Sequence, residues 1–164
     1  MKINDEARDK LWEEVAALSD EELNKRPCSN EWSIAQVMEH LYLMERTVVH
    51  NIKHTLENGS IKEVSTKPIE LTVNRSRKIE APTFVEPSDS DKTIEVIKEK
   101  LHTSHESLRK LDEDVDKERL EEKTAIHPVF GEMNLAQWIP FVGYHELRHI
   151  EQIKEVKDKL GLTK

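Results

Sequence analysis

Two histidines near the end of the chain, His145 and His149, are spaced so that they could bind one metal ion. On a helix, residues four apart lie on one face one turn apart, and two such imidazoles can reach a common ion. Apolar residues recur near that face at helical spacing: Trp138, Val142, Ile153, Val156 and Leu160. Burying an imidazole without a partner is unfavourable, so the pair indicates either metal ligands or hydrogen-bonded core histidines.

A third histidine, His40, lies on the flank of the apolar face of an earlier predicted helix, where its ring can point toward a neighbouring helix. Three nitrogen ligands leave a coordination position open, as in catalytic metal sites rather than closed structural ones. Gln152 falls below His145 and His149 on the same face and could support a ligand by a hydrogen bond. We predict that His40, His145 and His149 bind a divalent ion, with zinc, nickel, iron or copper all suited to nitrogen ligands.

The other five histidines are weaker candidates. His50 and His54 also stand four apart, but their rotation places them far from the apolar centre of their helix, so we expect them to face solvent. His102 likewise lies off the apolar face of its helix. His105 lies near an apolar stripe, which favours a core histidine with a bonded neighbour. His127 precedes a proline in a linker, where it lies at the mouth of a site or has no role.

Hydrophobic spacing predicts four helices, at about residues 5–18, 33–57, 91–112 and 134–160. Ser33 and Gln36 have the spacing of a capping box, and so do Asn134 and Gln137. Residues 60–90 show no helical period, apart from a brief extended piece predicted at 69–73. These residues therefore form a long crossover between the second and third helices.

Two further segments separate the third and fourth helices. Residues 112–123 are highly charged, which is consistent with either a fraying helix or a loop. Residues 127–131 contain proline and glycine, which is typical of a turn-forming linker.

The composition favours one all-α domain over residues 1–164, a four-helix bundle with one long crossover connection. The net charge of −8 argues against nucleic acid as a partner, because no basic surplus is present. No apolar run is long enough to span a membrane. The single cysteine, Cys28, and the lack of an apolar signal region lead us to expect a cytoplasmic protein.

The segment Glu31-Trp-Ser-Ile-Ala-Gln-Val-Met-Glu-His-Leu41, followed much later by His145-Glu-Leu-Arg-His149 and Gln152, resembles the DinB/YfiT-like superfamily. Residues 127–135 also resemble the approach to the last helix in that group. The resemblance implies a four-helix bundle, often dimeric, with a divalent metal on His40, His145 and His149. It is weakest in residues 60–90 and 112–123, so the substrate does not carry over.

Three functions are open for such a site, and the resemblance implies the first two. The first is a metal-dependent hydrolase of a small molecule, in which the ion activates water at neutral pH. The second is a metal-dependent S-transferase that uses a low-molecular-weight thiol such as bacillithiol, since thiolate also suits such an ion. The third is a non-catalytic metal-binding bundle, favoured if another side chain such as His105 closes the coordination shell. Glu39 and Glu146 adjoin ligands, but successive helical residues point about 100° apart, so neither is assigned as a base.

Overall fold

Four long helices build the protein, and the computed structural model describes residues 1–163. They are α1 (Lys2–Val15), α3 (Ile34–Asn58), α4 (Ile94–Asp114) and α6 (Leu135–Leu160). The shorter elements are helices α2 (Asp20–Asn24) and α5 (Lys117–Glu122) and the strands β1 (Thr124–His127) and β2 (Gly131–Asn134). The predicted four-helix bundle with one long crossover is confirmed, with a two-stranded antiparallel hairpin added before the last helix.

Helix α6 packs against both α1 and α3, and α4 packs against α3. The contact between α1 and α6 is closest at Gly143, where an added Cβ would lie 2.9 Å from the backbone nitrogen of Asn4. Because no side chain fits there, glycine lets α1 approach the backbone of α6 two residues before His145. Among residues 1–163, no helix is long and apolar enough to cross a membrane.

The helix starts follow the capping signals in the sequence. The Ser33 hydroxyl accepts the backbone N–H of Gln36, and the Gln36 side chain accepts the Ser33 N–H, so this capping box is complete. Asn134 caps α6 through the Gln137 N–H, but the Gln137 side chain bonds the backbone of Lys67 instead. The predicted range 5–18 for the first helix was three residues too late. The Met1 carbonyl accepts the N–H groups of Asn4 and Asp5, so the helix begins at Lys2.

The crossover between α3 and α4 contains two short 3₁₀ helices, Ile69–Val73 and Thr83–Val85. The extended piece predicted at 69–73 was therefore wrong. There the Leu71 N–H bonds the Pro68 carbonyl, and the resulting tight turn replaces a strand. The Arg148 guanidinium of α6 donates to backbone carbonyls of the crossover, including those of Thr72 and Arg77, and thereby holds this segment against the bundle.

The segments between α4 and α6 are more regular than predicted. Residues 112–123 finish α4 and form α5, and residues 127–131 are the tip of the β1–β2 hairpin rather than a plain linker. Gly131 has a φ of +71°, the left-handed conformation that closes a three-residue hairpin loop. This hairpin brings His127 against the first turns of α6.

Candidate metal centre

His40 is positioned by helix α3 and by the crossover together. The capping box at Ser33 starts α3 two turns earlier, and His40 then lies in the bundle with only 2% of its surface exposed. Its Nδ1–H donates to the backbone carbonyl of Val85 at 2.8 Å. That bond orients the ring and leaves the lone pair of Nε2 directed into the bundle.

His145 and His149 lie one turn apart on the buried face of α6, as their spacing predicted. Their Nε2 atoms are 3.1 Å apart. The Nδ1–H of His149 donates to Oε1 of Gln152 at 2.7 Å, which fixes the orientation of this ring too. The supporting role predicted for Gln152 therefore has a matching contact.

The structure brings the three predicted residues to one point. His40 Nε2 lies 3.4 Å from His145 Nε2, and one ring nitrogen from each of the three histidines lies within 4.8 Å of the others. Two imidazole nitrogens bound to one ion at tetrahedral or octahedral angles are about 3.0–3.4 Å apart, given metal–nitrogen bonds of about 2.1 Å. The separations of the His145–His149 and His40–His145 pairs therefore fit a shared ion.

The protonation states of these rings also fit a cation. Burial lowers the pKa of His40 below its ordinary value, although the Val85 carbonyl opposes the shift. Burial lowers the pKa of His145 and His149 much further, and repulsion from the neighbouring imidazoles adds to it. All three rings are therefore neutral at pH 7. Because His40 and His149 use their Nδ1–H groups elsewhere, both direct a lone pair at Nε2 of His145. A proton on that nitrogen can bond only one of them well, whereas a divalent cation would bind the lone pairs of all three rings.

Four of the remaining histidines lie away from this cluster. His50, His54 and His102 are exposed, as predicted. His105 is the predicted bonded core histidine: its Nδ1 and Nε2 contact carboxylate oxygens of Glu45 and Asp5 at 3.1 and 2.9 Å. It therefore does not close the shell around the three ligand candidates.

The carboxylates that adjoin the ligands in sequence point elsewhere. Glu39 accepts the backbone N–H of Ser88 and pairs with Lys92, both in or next to the crossover. Glu146 is bound in the core by Arg8, with its Oε1 2.7 Å from the Nε of the guanidinium. Neither carboxylate reaches the three imidazoles, so neither is assigned as a general base.

The Val85 carbonyl is the part of the site that sequence reasoning missed. Its role depends on the path of the backbone, which no residue type in the crossover reveals. The bond from Ser88 to Glu39 showed no sequence signal either, although it holds the crossover beside His40. Trp32, which packs on His40 with ring centroids 5.2 Å apart, is a further residue of the site that the sequence did not single out.

The fold and the site define a four-helix bundle in which three histidines from two helices face one point. The chain belongs to the DinB superfamily, whose family model matches residues 3–153. This finding confirms the resemblance noted in the sequence.

Individual proteins show the same relationship. The chain is 38% identical to YuaE, an uncharacterised protein of Bacillus subtilis strain 168, over 98% of each sequence. It is similar to the crystal structure of TT2238, a four-helix bundle protein, with a TM-score of 0.64 and 17% identity over 94% of each chain. It is also similar to YfiT from Bacillus subtilis, described as a probable metal-dependent hydrolase with an unusual four-helix bundle topology. That match has a TM-score of 0.65 and 14% identity over 99% of this chain and 86% of YfiT. At these identities, the two structural matches bear on the fold alone.

Proposed function

We propose that this protein is a metal-dependent hydrolase that holds a divalent ion on His40, His145 and His149. The observation that carries the proposal is the convergence of three neutral imidazoles, with Nε2 atoms 3.1 and 3.4 Å apart in two of the pairs. The description of YfiT as a probable metal-dependent hydrolase of the same fold supports the choice of reaction.

The side chains around the three imidazoles favour catalysis over a purely structural ion. Within residues 1–163, the cluster contains no fourth histidine, cysteine or carboxylate, and His105 is bonded to Glu45 and Asp5 instead. Three protein ligands leave room for water or substrate. A divalent ion held by these three residues would supply the Lewis acidity that makes water a nucleophile at neutral pH. The chain itself contributes orientation: Val85 and Gln152 hold two of the rings, and Trp32 and Phe141 pack beside the cluster.

Elemental analysis of the purified protein tests the site. We expect about one divalent ion per chain, and we expect its loss in His149→Ala and in His40→Ala. His54→Ala is the matched control, because His54 is exposed on the same helix as His40. Full metal content in both ligand variants would overturn the assignment, provided that circular dichroism shows both to be helical.

The reaction is tested with metal-loaded and chelator-treated protein on a panel of esters, amides and an electrophile offered with a low-molecular-weight thiol. We expect hydrolysis that is lost on chelation and restored by the ion. Conjugation of the thiol to the electrophile, without hydrolysis, would replace the hydrolase proposal with the S-transferase alternative.

A further inference from the structure

Two N–H donors on buried aromatic rings lack acceptors among residues 1–163. The indole Nε1–H of Trp138 is buried and unpaired. Nδ1 of His127 accepts the backbone N–H groups of Val129 and Phe130 at 3.1 and 3.2 Å, so in a neutral ring the proton must lie on Nε2. No contact uses that Nε2–H. Buried polar groups in native proteins are nearly always satisfied, so the buried indole N–H of Trp138 indicates a missing partner. The His127 ring that carries the second free donor lies next to it, with ring centroids 5.2 Å apart.

The surroundings of the two donors are aromatic and uncharged. The His127 ring lies 5.0 Å from Phe130, 4.6 Å from Phe141 and 5.2 Å from Trp138, measured between ring centroids. Burial lowers the pKa of His127 to about 4, so the imidazole is neutral at pH 7. A charged ligand would lose its hydration here without a countercharge, whereas a neutral carbonyl would not.

The donors lie next to the three-histidine cluster. Trp138 precedes His145 by seven residues, which places the two side chains on the same stripe of α6 two turns apart. Phe141 lies between them and packs on both His127 and His145, with ring centroids 4.6 and 5.8 Å away. One aromatic ring therefore separates the donors from a ligand candidate.

We propose that His127 Nε2–H and Trp138 Nε1–H bind an uncharged acceptor oxygen, such as an amide or ester carbonyl, on a substrate whose apolar part packs against Phe130 and Phe141. The placement of the reacting bond beside His145 rests on the proposed function. The binding of the carbonyl does not, because neither donor is a metal ligand. The two residues are therefore substrate-positioning residues that select uncharged, apolar carbonyl compounds.

Benzamide is a suitable probe, since it combines an aromatic ring with a neutral carbonyl, and benzoate is its charged counterpart. In ¹⁵N-labelled protein, the three tryptophans give three indole N–H signals, and Trp138→Phe assigns one of them. We expect benzamide to shift the Trp138 signal saturably and to leave that of Trp12 in place. Benzoate should bind at least about tenfold more weakly, because its charge would be desolvated. No saturable shift at Trp138, or equal binding of benzoate, would overturn the proposal.

Two variants separate positioning from a merely structural effect. His127→Phe keeps an aromatic ring but removes the donor, and it also removes the acceptor of the Val129 and Phe130 N–H groups, whose amide signals report whether the hairpin is retained. With the hairpin intact, it should weaken benzamide binding about three- to tenfold, the typical effect of one hydrogen bond. Trp138→Phe, followed through the Phe130 and Phe141 ring signals, should have a similar effect, and the exposed-site control His54→Phe should have none. Unchanged affinity in both ring variants would refute the assignment. Repeating the titration with His149→Ala distinguishes the two proposals: binding that persists without metal supports this site even if the hydrolase proposal fails.

Discussion

Arg8 is a buried cation that links all four long helices, and its removal is expected to destabilise the protein strongly. Its guanidinium on α1 donates to Glu146 on α6 at 2.7 Å and to Glu45 on α3 at 3.1 Å. It also donates to the Leu101 carbonyl on α4 at 2.7 Å. Arg8→Met preserves most of the apolar stem while it deletes all of these bonds.

The size of the destabilisation follows from the carboxylates that remain in the core when Arg8 is replaced. Glu45 and Glu146 are only 1% and 2% exposed. Glu45 keeps His105, whose pKa is raised by hydrogen bonds to Glu45 and Asp5 against the effect of burial. Glu146 keeps no cation in contact. Breaking a buried pair in this way costs about 3–5 kcal/mol, a large part of the roughly 5–15 kcal/mol that stabilises a domain.

Urea denaturation followed by circular dichroism measures this loss at pH 7. The control is Lys2→Met, which removes an exposed pair with Glu6 on the same helix and should change the unfolding free energy by less than about 0.5 kcal/mol. Adding Glu146→Gln to Arg8→Met should recover at least half of the loss, because the orphaned charge disappears. An Arg8→Met protein within about 1 kcal/mol of the parent would refute the reasoning.

The pH dependence of Arg8→Met gives a second check with a definite sign. Burial already raises the pKa of Glu146 above its ordinary value, while Arg8 opposes that shift. Without Arg8 the pKa must rise further, so the folded variant takes up a proton at Glu146 before the unfolded chain does. The destabilisation should therefore shrink as the pH falls toward the pKa of the unfolded carboxyl.

Two further predictions concern the histidines. Gln152→Leu removes the acceptor of the His149 Nδ1–H and should weaken metal binding about 10- to 100-fold in a competition titration, whereas Glu151→Leu, at an exposed neighbour, should not. An unchanged affinity would show that the bond does not orient a ligand. Metal-free protein should lose stability as the pH falls below about 6.5, because the unfolded chain then binds protons at four histidines whose pKa burial lowers in the folded protein: His40, His127, His145 and His149. For His127, with a folded pKa of about 4, the loss between pH 7 and pH 5 is at most about 2 kcal/mol, and urea midpoints that stay constant over that range would contradict it.

The long helices, whose apolar residues repeat over several turns, were predicted well from the sequence. Short elements and contacts made by the backbone were not. The apolar stripes and the cap at Ser33 located the helices that carry His40, His145 and His149 to within about a turn. The hairpin was missed because its strands are four residues long and Ile126 on β1 is 77% exposed, opposite to the usual burial of an apolar strand residue.

The 3₁₀ helix Ile69–Val73 shows why short apolar alternation misleads. Isoleucine, leucine and valine alternate with polar residues there, which is typical of a strand, but no partner strand is present within residues 1–163. Local bonds back to Pro68 and Leu71 then satisfy the backbone. Whether a partner strand is present depends on the whole fold, so the sequence of these five residues alone cannot predict it.

The hydrogen bond from His40 to the Val85 carbonyl has a consequence for how the crossover tolerates change. Every residue type has a carbonyl oxygen, so replacing the valine side chain leaves the acceptor in place as long as the chain follows the same route. The orientation of the His40 ring therefore depends on the path of the backbone at Val85. Away from Val85, whose own side chain is fully buried, the loop can thus vary in composition without loosening the ring beneath it.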